Sequence, residues 1–192
     1  MLNSYQIILS IVFLKLLVGC NSYTPPIKGN QYTIKECQQE LLESNDYVQN
    51  EGIDLIVIKK KERKMYLYSD DKIQRVIPIS LGKNPKDAKE RRGDNRTPEG
   101  TFWISRKLCS SKYYRSLCIS YPLPEDRKKA LKRGLNPGGS ITIHAQPVWN
   151  ADGKGDSYTL GENWTQGCVA VTNTVMHELW YVVREGTVVI IR

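Results

Sequence analysis

One cysteine and one histidine in this sequence have neighbours and spacing that suit covalent catalysis. Cys168 directly follows a glycine, and His144 ends a β-branched segment 24 positions earlier. A thiol is mostly protonated at neutral pH because its ordinary pKa is about 8.5, so it needs a base before it can attack. An imidazole within hydrogen-bond reach takes that proton and later returns it to a leaving amine. The pair suits thiolate catalysis, with Cys168 as nucleophile and His144 as base.

The residues before Cys168 predict a tight turn that presents backbone N–H groups to a reacting carbonyl. Thr165 begins this Thr-x-Gly-Cys turn, and Gly167, which has no Cβ, allows the chain to bend sharply. We expect N–H groups of the turn, including that of Cys168, to form an oxyanion hole, in which one donor contributes about 3 kcal/mol. From chemistry alone the evidence is weak, because a cysteine and a distant histidine are incidental in most proteins.

Short strands and a few helices are predicted to position these residues. Runs of β-branched and aromatic residues between polar turns predict strands at 53–58, 64–68, 72–80, 101–106, 117–121, 140–144 and 187–191. Helices are predicted at 126–133 and at 174–185, the second ended by Gly186. The polar segment 82–100 predicts a long functional loop, and 145–164 a second loop. This pattern predicts a mainly β domain, a sandwich or barrel-like sheet with a few short helices.

Motifs around the pair resemble the L,D-transpeptidase catalytic domain family (YkuD-like). The family signature, a histidine followed after a variable loop by Ser/Thr-x-Gly-Cys, is matched by His144, Thr165, Gly167 and Cys168. The similarity covers about residues 53–192, and it includes the segments Arg96–Phe102, Ile119–Pro122, Pro137–Gly139 and Trp164–Asn173. The resemblance implies a β-sandwich-like catalytic fold and thiol acyl transfer without a metal or cofactor.

The same resemblance implies a substrate, the stem peptides of peptidoglycan. The donor would be a tetrapeptide, cut after the L-centre of its third residue, with D-Ala released and a thioester left on the cysteine. An amine acceptor then gives a cross-link or an attached protein. Two alternatives remain: a hydrolase at the same site, and a non-catalytic peptidoglycan-binding lipoprotein, against which the His144–Cys168 pair argues.

Two residues near the site depart from the family pattern. Ala145 stands where many members have glycine after the histidine, and Ala170 stands where many have arginine two residues after the cysteine. The segment between His144 and Thr165 is also longer than usual. Because a cation near the site is missing at Ala170, binding of the donor carboxylate there is in question.

Other residues are candidates for substrate binding. Arg96 or Arg92 would supply the missing cation, although a solvent-exposed arginine is an equally good interpretation. Trp164 and Trp149 would form walls of the groove, or would serve packing instead. His177 is interpreted as a surface or half-buried helix residue. The carboxylates of the 145–164 loop are scattered, so the sequence predicts no metal site (Asp152, Asp156 and Glu162).

The N-terminal residues predict export and lipidation. Residues 7–19 form an apolar run that is too short to span a membrane and is typical of a signal peptide, here 1–19. Leu17 to Cys20 resembles a lipobox, which predicts lipidation of Cys20. The run contains Lys15 and follows an uncharged start, so a signal peptide without lipid and an uncleaved anchor remain alternatives.

Under this interpretation, residues 20–52 form a tether with a short peripheral segment, and 53–192 form the catalytic domain. The predicted location is the periplasmic side of the cell envelope, at the outer membrane if the cell is Gram-negative. The expected partners are peptidoglycan stems and, through the lipid, a membrane, for a protein that is a monomer. The net charge of +8 suits a polymer that carries carboxylates, or serves solubility alone. The export signal and the lack of a recognition motif argue against nucleic acid.

The sequence has five cysteines, and paired cysteines tend to form disulfides in an oxidising compartment. Cys20 is assigned to lipid and Cys168 to catalysis, which leaves three, so at least one is unpaired. Cys109 and Cys118 bracket a short polar turn between strand-like runs. We expect a disulfide across this hairpin if the strand register allows it.

Overall fold

The fold is that of a computed structural model, which describes residues 34–47, 52–109, 112–113, 115–146 and 155–192. The elements are α1 (Ile34–Tyr47), β1 (Ile53–Lys59), β2 (Lys64–Ser69), β3 (Lys72–Pro78), β4 (Gly100–Leu108), β5 (Ser116–Ile119), α2 (Pro124–Lys132), β6 (Thr142–His144), α3 (Gly155–Gly161), β7 (Val169–Ala170), α4 (Asn173–Val182) and β8 (Val183–Ile191). The predicted signal peptide, Cys20, Trp149 and Asp152 lie outside the described residues. Among the helices described, none is both long and apolar enough to cross a membrane.

The strands form one curled eight-stranded sheet in the order β3-β2-β1-β8-β4-β5-β6-β7. β4 bends the sheet because its first half pairs with β8 and its second half with β5, with a register shift between Ile104 and Arg106. Beyond β3 the chain returns to the far edge, where Ser80 and Ala170 exchange backbone hydrogen bonds of 2.9 and 2.8 Å. The predicted mainly β fold is confirmed, and its form is a half-barrel.

The core lies inside the curl of the sheet and is covered by α4. Alternate residues of β1 and β2 point inward and are almost completely buried, as with Ile56 and Leu67. α4 adds Leu179 and Trp180, both fully buried, to the same core. Each such side chain contributes about 1.5–3 kcal/mol on burial. The helix begins at Thr172, whose side chain accepts a hydrogen bond from the backbone N–H of Val175, an N-cap as predicted.

Two predicted boundaries near α4 were wrong. The helix ends at Val182, and Gly186 does not stop it but lies inside β8 with a φ of 88°. At this glycine the pairing with β1 shifts register, since Ile53 pairs with Val183 but Leu55 pairs with Val188. Strand pairing with β1 outweighs the local helical pattern here, and a glycine tolerates the positive φ of the irregular strand. The predicted 145–164 loop also contains a helix, α3.

The predicted Cys109–Cys118 disulfide was wrong. Cys109 is bonded instead to Cys37 of α1, and Cys118 is a free, buried thiol. The register explains this, because Arg106 pairs with Cys118 and Leu108 pairs with Ser116. Cys109 therefore lies three positions along the ladder from the place opposite Cys118, too far for a disulfide. The helix α1 belongs to the segment interpreted as a tether, and this bond attaches it to the end of β4.

We expect loss of this disulfide to destabilise the fold. The two cysteines are separated by 72 positions, and closing a loop of that length stabilises by about 4 kcal/mol in the chain-entropy model. The variant Cys37→Ser/Cys109→Ser should therefore unfold at lower urea concentration. Cys118→Ala is the control, because it removes only a small buried thiol. Non-reducing peptide mapping that linked Cys109 to Cys118 would contradict the connectivity.

Candidate active site

The pairing of β6 with β7 brings the two candidate catalytic residues to neighbouring strands. These strands are parallel, with Ile143 beside Val169 and His144 beside Ala170. The same register places Cys168 beside Thr142, whose hydroxyl donates a hydrogen bond of 3.6 Å to the Cys168 sulfur. Because alternate residues of a strand share a face, Thr142 and His144 point the same way. The register thus brings together two residues that are 24 positions apart in the chain.

The thiol of Cys168 is half-buried and makes its hydrogen bonds to β6 and the residues before it. Its sulfur accepts from the Thr142 hydroxyl and donates to the backbone carbonyl of Ser140 at 3.7 Å. In this structure the thiol proton is directed at Ser140 and not at His144. Transfer to the imidazole requires the thiol to turn toward His144, and such catalytic hydrogen bonds often form only when substrate binds.

His144 is held as a neutral imidazole by its surroundings. Its Nδ1 lies 2.7 Å from the carbonyl oxygen of Ala145, which only accepts, so Nδ1 carries the proton and Nε2 has a free lone pair. The side chain is 1% exposed. Burial lowers its pKa to about 4; the hydrogen bond to Ala145 acts the other way, and the Lys112 cation lowers it further. At neutral pH the residue is therefore a base.

Two aromatic rings enclose His144. Tyr113 stacks on the imidazole with ring centres 4.0 Å apart and planes 28° apart, and Trp164 meets it edge-on at 5.6 Å. Trp164 is itself held by a hydrogen bond of 3.0 Å from its indole N–H to the carbonyl of Thr159 on α3. Burial, and next a negative charge on Cys168, raise the pKa of Tyr113. Contact of Trp164 with substrate stays a prediction.

The turn before Cys168 is closed by the side chain of Thr165. Its hydroxyl donates to the carbonyl of Cys168 at 2.7 Å and accepts from the N–H of Gly167 at 3.1 Å. The Thr165 backbone is joined in turn to Leu81 and Lys83 by hydrogen bonds of 3.1 and 2.9 Å. Thr165 therefore shapes the turn. Because the Gly167 N–H is already bonded, the N–H of Cys168 is the better candidate for an oxyanion donor.

Gly167 allows three backbone segments to touch. Its φ is 125°, and a Cβ added to it would lie 2.5 Å from the carbonyl oxygen of Arg96. A Cβ on Gly82 would lie 2.1 Å from the carbonyl oxygen of Asn95 and 3.0 Å from the Cα of Gly167. No side chain fits in these contacts. The long loop between β3 and β4 is thus part of the wall of the site.

Buried charges hold that loop in place. The Asp94 carboxylate accepts hydrogen bonds from the Lys89 ammonium at 2.8 Å and from three backbone N–H groups, those of Glu90, Arg91 and Arg96. Burial alone would raise its pKa, but these donors lower it to about 2. The Lys60 ammonium, only 5% exposed, holds the other end of the loop, because it donates a hydrogen bond of 3.1 Å to the carbonyl of Thr97.

The candidate carboxylate-binding arginines have different positions. Arg96 contacts Gly167, in the turn before Cys168, through its backbone carbonyl. Its guanidinium lies 3.6 Å from a carboxylate oxygen of Asp87 and 3.5 Å from the carbonyl of Ala88. Arg92 is exposed. Ala170 stands where the family has an arginine, and it lies beside His144 and is fully buried. Because alanine carries no charge, the family arginine has no counterpart at that position. Binding of a donor carboxylate by Arg96 stays a prediction.

His177 lies on a different element, the helix α4. It is half-buried, and its Nδ1 is 3.1 Å from a guanidinium nitrogen of Arg115. Burial and then the Arg115 charge lower its pKa to about 4. Sequence reasoning missed Thr142 and Tyr113. Thr142 had a signal, because it precedes His144 by two residues on a strand, whereas no local pattern identifies Tyr113.

We expect the folded protein to lose stability as the pH falls from about 6.5 to 4. In this window the unfolded chain binds a proton at His144 and the folded protein does not, because the pKa of His144 drops from 6.5 to about 4. The free energy of unfolding should fall by about 3 kcal/mol on this account, and His177 should add in the same direction. The Asp94 contribution is lost only below pH 3.8. Urea unfolding at pH 7 and 4.5 measures the change.

The control for this prediction is His144→Gln, which cannot gain the proton. Its stability should depend less on pH in the same window. An equal slope for the variant and the wild type would show that His144 titrates normally in the folded protein.

The chain resembles several known proteins. The L,D-transpeptidase catalytic domain family, YkuD, matches residues 53–191. The helical cell shape determining protein Pgp2 from Campylobacter jejuni is 25% identical, with a TM-score of 0.56, over 83% of this chain and 56% of that one. Bd1075 from Bdellovibrio bacteriovorus is 25% identical, with a TM-score of 0.51, over 74% and 48%. The chain spans about half the length of these two structures. No curated protein matches it.

Proposed function

Because the chain belongs to the YkuD family of L,D-transpeptidase catalytic domains, we propose that it is a peptidoglycan L,D-transpeptidase that forms a thioester on Cys168. The donor is a tetrapeptide stem that loses D-Ala, and the acceptor is an amine. The observation that carries the proposal is the parallel pairing of β6 with β7. It holds Cys168 beside Thr142, with His144 two residues further along the same face.

The proposed acylation uses groups whose positions are described above. His144 Nε2 takes the thiol proton, and the Cys168 sulfur attacks the carbonyl carbon of the third stem residue. The C–S bond forms, the C–N bond to D-Ala breaks, and the imidazolium returns its proton to the leaving amine. The transient oxyanion accepts a hydrogen bond from the Cys168 N–H. An amine then displaces the thiol and gives the new amide bond.

The deciding experiment combines an active-site probe with the proposed substrate. A carbapenem should add its mass to the peptide that contains Cys168, since a β-lactam acylates a nucleophilic thiol. Muropeptides with a tetrapeptide stem should lose D-Ala and, with an amine acceptor present, give a cross-linked product. The control is Cys118→Ala, which removes the other free thiol of the described residues and should keep both reactions.

The products of this experiment separate the possible functions. D-Ala loss that gives only shortened stems, whatever amine is added, would assign a hydrolase in place of a transpeptidase. If the wild type forms no adduct and releases no D-Ala, acyl transfer is refuted. Binding to purified peptidoglycan without turnover would then assign a binding protein.

We also propose that the protein is exported and anchored by a lipid on Cys20, with the catalytic domain on the periplasmic side. The support is the lipobox-like Leu17–Cys20 at the end of an apolar run. Cys20→Ala should move the protein from the detergent phase to the aqueous phase in a phase-partitioning experiment. Cys118→Ala should leave the partitioning as it is. If Cys20→Ala partitions like the wild type, the lipid anchor is excluded.

A further inference from the structure

The helix α1 is attached to both ends of the connection between β4 and β5. Cys37 of α1 is disulfide-bonded to Cys109, which directly follows β4. Glu40 of α1 forms an ion pair with Arg115, which directly precedes β5. Cys37 and Glu40 are three residues apart, so they lie on the same face of the helix. One covalent bond and one ion pair thus fix the two ends of this connection to one helix.

The ion pair is an anchor because it is buried. The Arg115 side chain is completely buried, and the Glu40 side chain is 16% exposed. The Arg115 guanidinium also lies 5.1 Å from the ring centre of Trp180 and contacts His177 of α4. A buried charge that loses its partner is strongly destabilising, so Arg115 stays where Glu40 holds it.

Between these two anchors lies Tyr113, the residue whose ring covers His144. Arg115 also contacts the site directly, because its carbonyl accepts a hydrogen bond of 3.1 Å from the N–H of Ala145, the residue after His144. Ser116, the next residue, pairs with His144 across β5 and β6. Arg115 and Ser116 therefore lie alongside His144, and Tyr113 lies on its face.

We propose that α1, through its Cys37–Cys109 bond and its Glu40–Arg115 ion pair, positions Tyr113 over the imidazole of His144 and keeps water from it. We call α1 with these two links the α1 clamp. Tyr113 and the clamp are positioning groups that act through His144, and their importance for catalysis rests on the proposed function. The segment before the catalytic domain is then a part of the active site and not only a tether.

The clamp determines how the base titrates. His144 is 1% exposed beneath the rings of Tyr113 and Trp164. Of the groups around it, Lys112 and Tyr113 come from the β4–β5 connection, and Cys168 comes from the turn before β7. One carboxylate lies on α3. The Asp156 carboxylate accepts a hydrogen bond of 3.1 Å from the side-chain amide of Gln146, which is two residues after His144. Water admitted by loss of the Tyr113 ring would solvate the imidazolium and raise the pKa toward 6.5.

The test is an NMR titration of the His144 imidazole in the intact protein. Only two histidines are present, and His144→Gln identifies its signal by the loss of that signal. In Tyr113→Ala the pKa of His144 should rise by about one pH unit or more. In Tyr113→Phe, which keeps the ring, it should stay as in the wild type. The variants Cys37→Ser/Cys109→Ser and Glu40→Gln should move it in the same direction as Tyr113→Ala.

Three results of the titration would overturn the proposal. A wild-type titration curve for Tyr113→Ala, or for both clamp variants, would overturn the proposal, as would an equal shift in Tyr113→Phe. Cys118→Ala is the matched cysteine control and should not move the curve. Thermal unfolding of every variant shows whether the fold is intact at the temperature used, and Glu40→Gln, which keeps the disulfide, tests the inference if Cys37→Ser/Cys109→Ser does not fold. Because the titration needs no substrate, it gives its answer even if the proposed function fails.

Discussion

Cys168→Ala and His144→Ala are each expected to lower stem-peptide turnover by at least about a thousandfold, and the double variant should be hardly worse than either. Without the sulfur no thioester forms, and without the imidazole the thiol keeps its proton. Groups that act as one unit lose nearly everything when either is removed, so the effects do not add. The measurement is D-Ala release from muropeptides, together with the rate of Cys168 alkylation by iodoacetamide against pH.

Each of the two single variants should lack only the group that the substitution removes. Cys168→Ala should remain folded, because the thiol is only half-buried and the replacement keeps its Cβ. His144→Ala should keep a thiol that is alkylated slowly at neutral pH. The control is His177→Gln, which can still accept a hydrogen bond from Arg115 and should turn over normally. Near-normal turnover by Cys168→Ala would refute the mechanism, and loss of turnover in His177→Gln alone would make His177 the base.

Gly167→Ala should have the second large effect, on both stability and chemistry. A Cβ at this position would lie 2.5 Å from the carbonyl oxygen of Arg96, at a φ of 125° that a side chain rarely tolerates. Strain and overpacking together should lower the free energy of unfolding by about 4 kcal/mol. The movement also displaces the Cys168 N–H from the oxyanion, so acylation of any folded fraction should slow by about a hundredfold or more.

Substitutions at two other glycines serve as controls, because they separate the effect of backbone strain from the effect of the close contact. Gly186 has a φ of 88° with open space around its Cα, so Gly186→Ala should cost only the backbone strain, about 1–2 kcal/mol. Gly161 has open space without a positive φ, so Gly161→Ala should change stability by about 0.5 kcal/mol or less. If Gly167→Ala were no less stable than Gly186→Ala, the close approach to Arg96 would not constrain the turn.

Much of the fold could be predicted because strand and turn signals are local. The strands 53–58 and 64–68 lie within one residue of β1 and β2, since β-branched runs between polar turns predict them directly. The start of α4 was predicted because an N-cap is a local signal. Its end was not, since the competing pairing of β8 with β1 is between residues far apart in the chain.

The sequence by itself determined the family and the mainly β class, and it predicted a reactive pair, because these depend on residue types and short spacings. The tertiary structure decided which residues surround them. Register placed Thr142 beside Cys168 and separated Cys109 from Cys118, and no local pattern encodes the alignment of two strands. Only the packed structure shows Tyr113 on His144 and α1 anchored next to it, because those contacts join segments that the chain keeps apart.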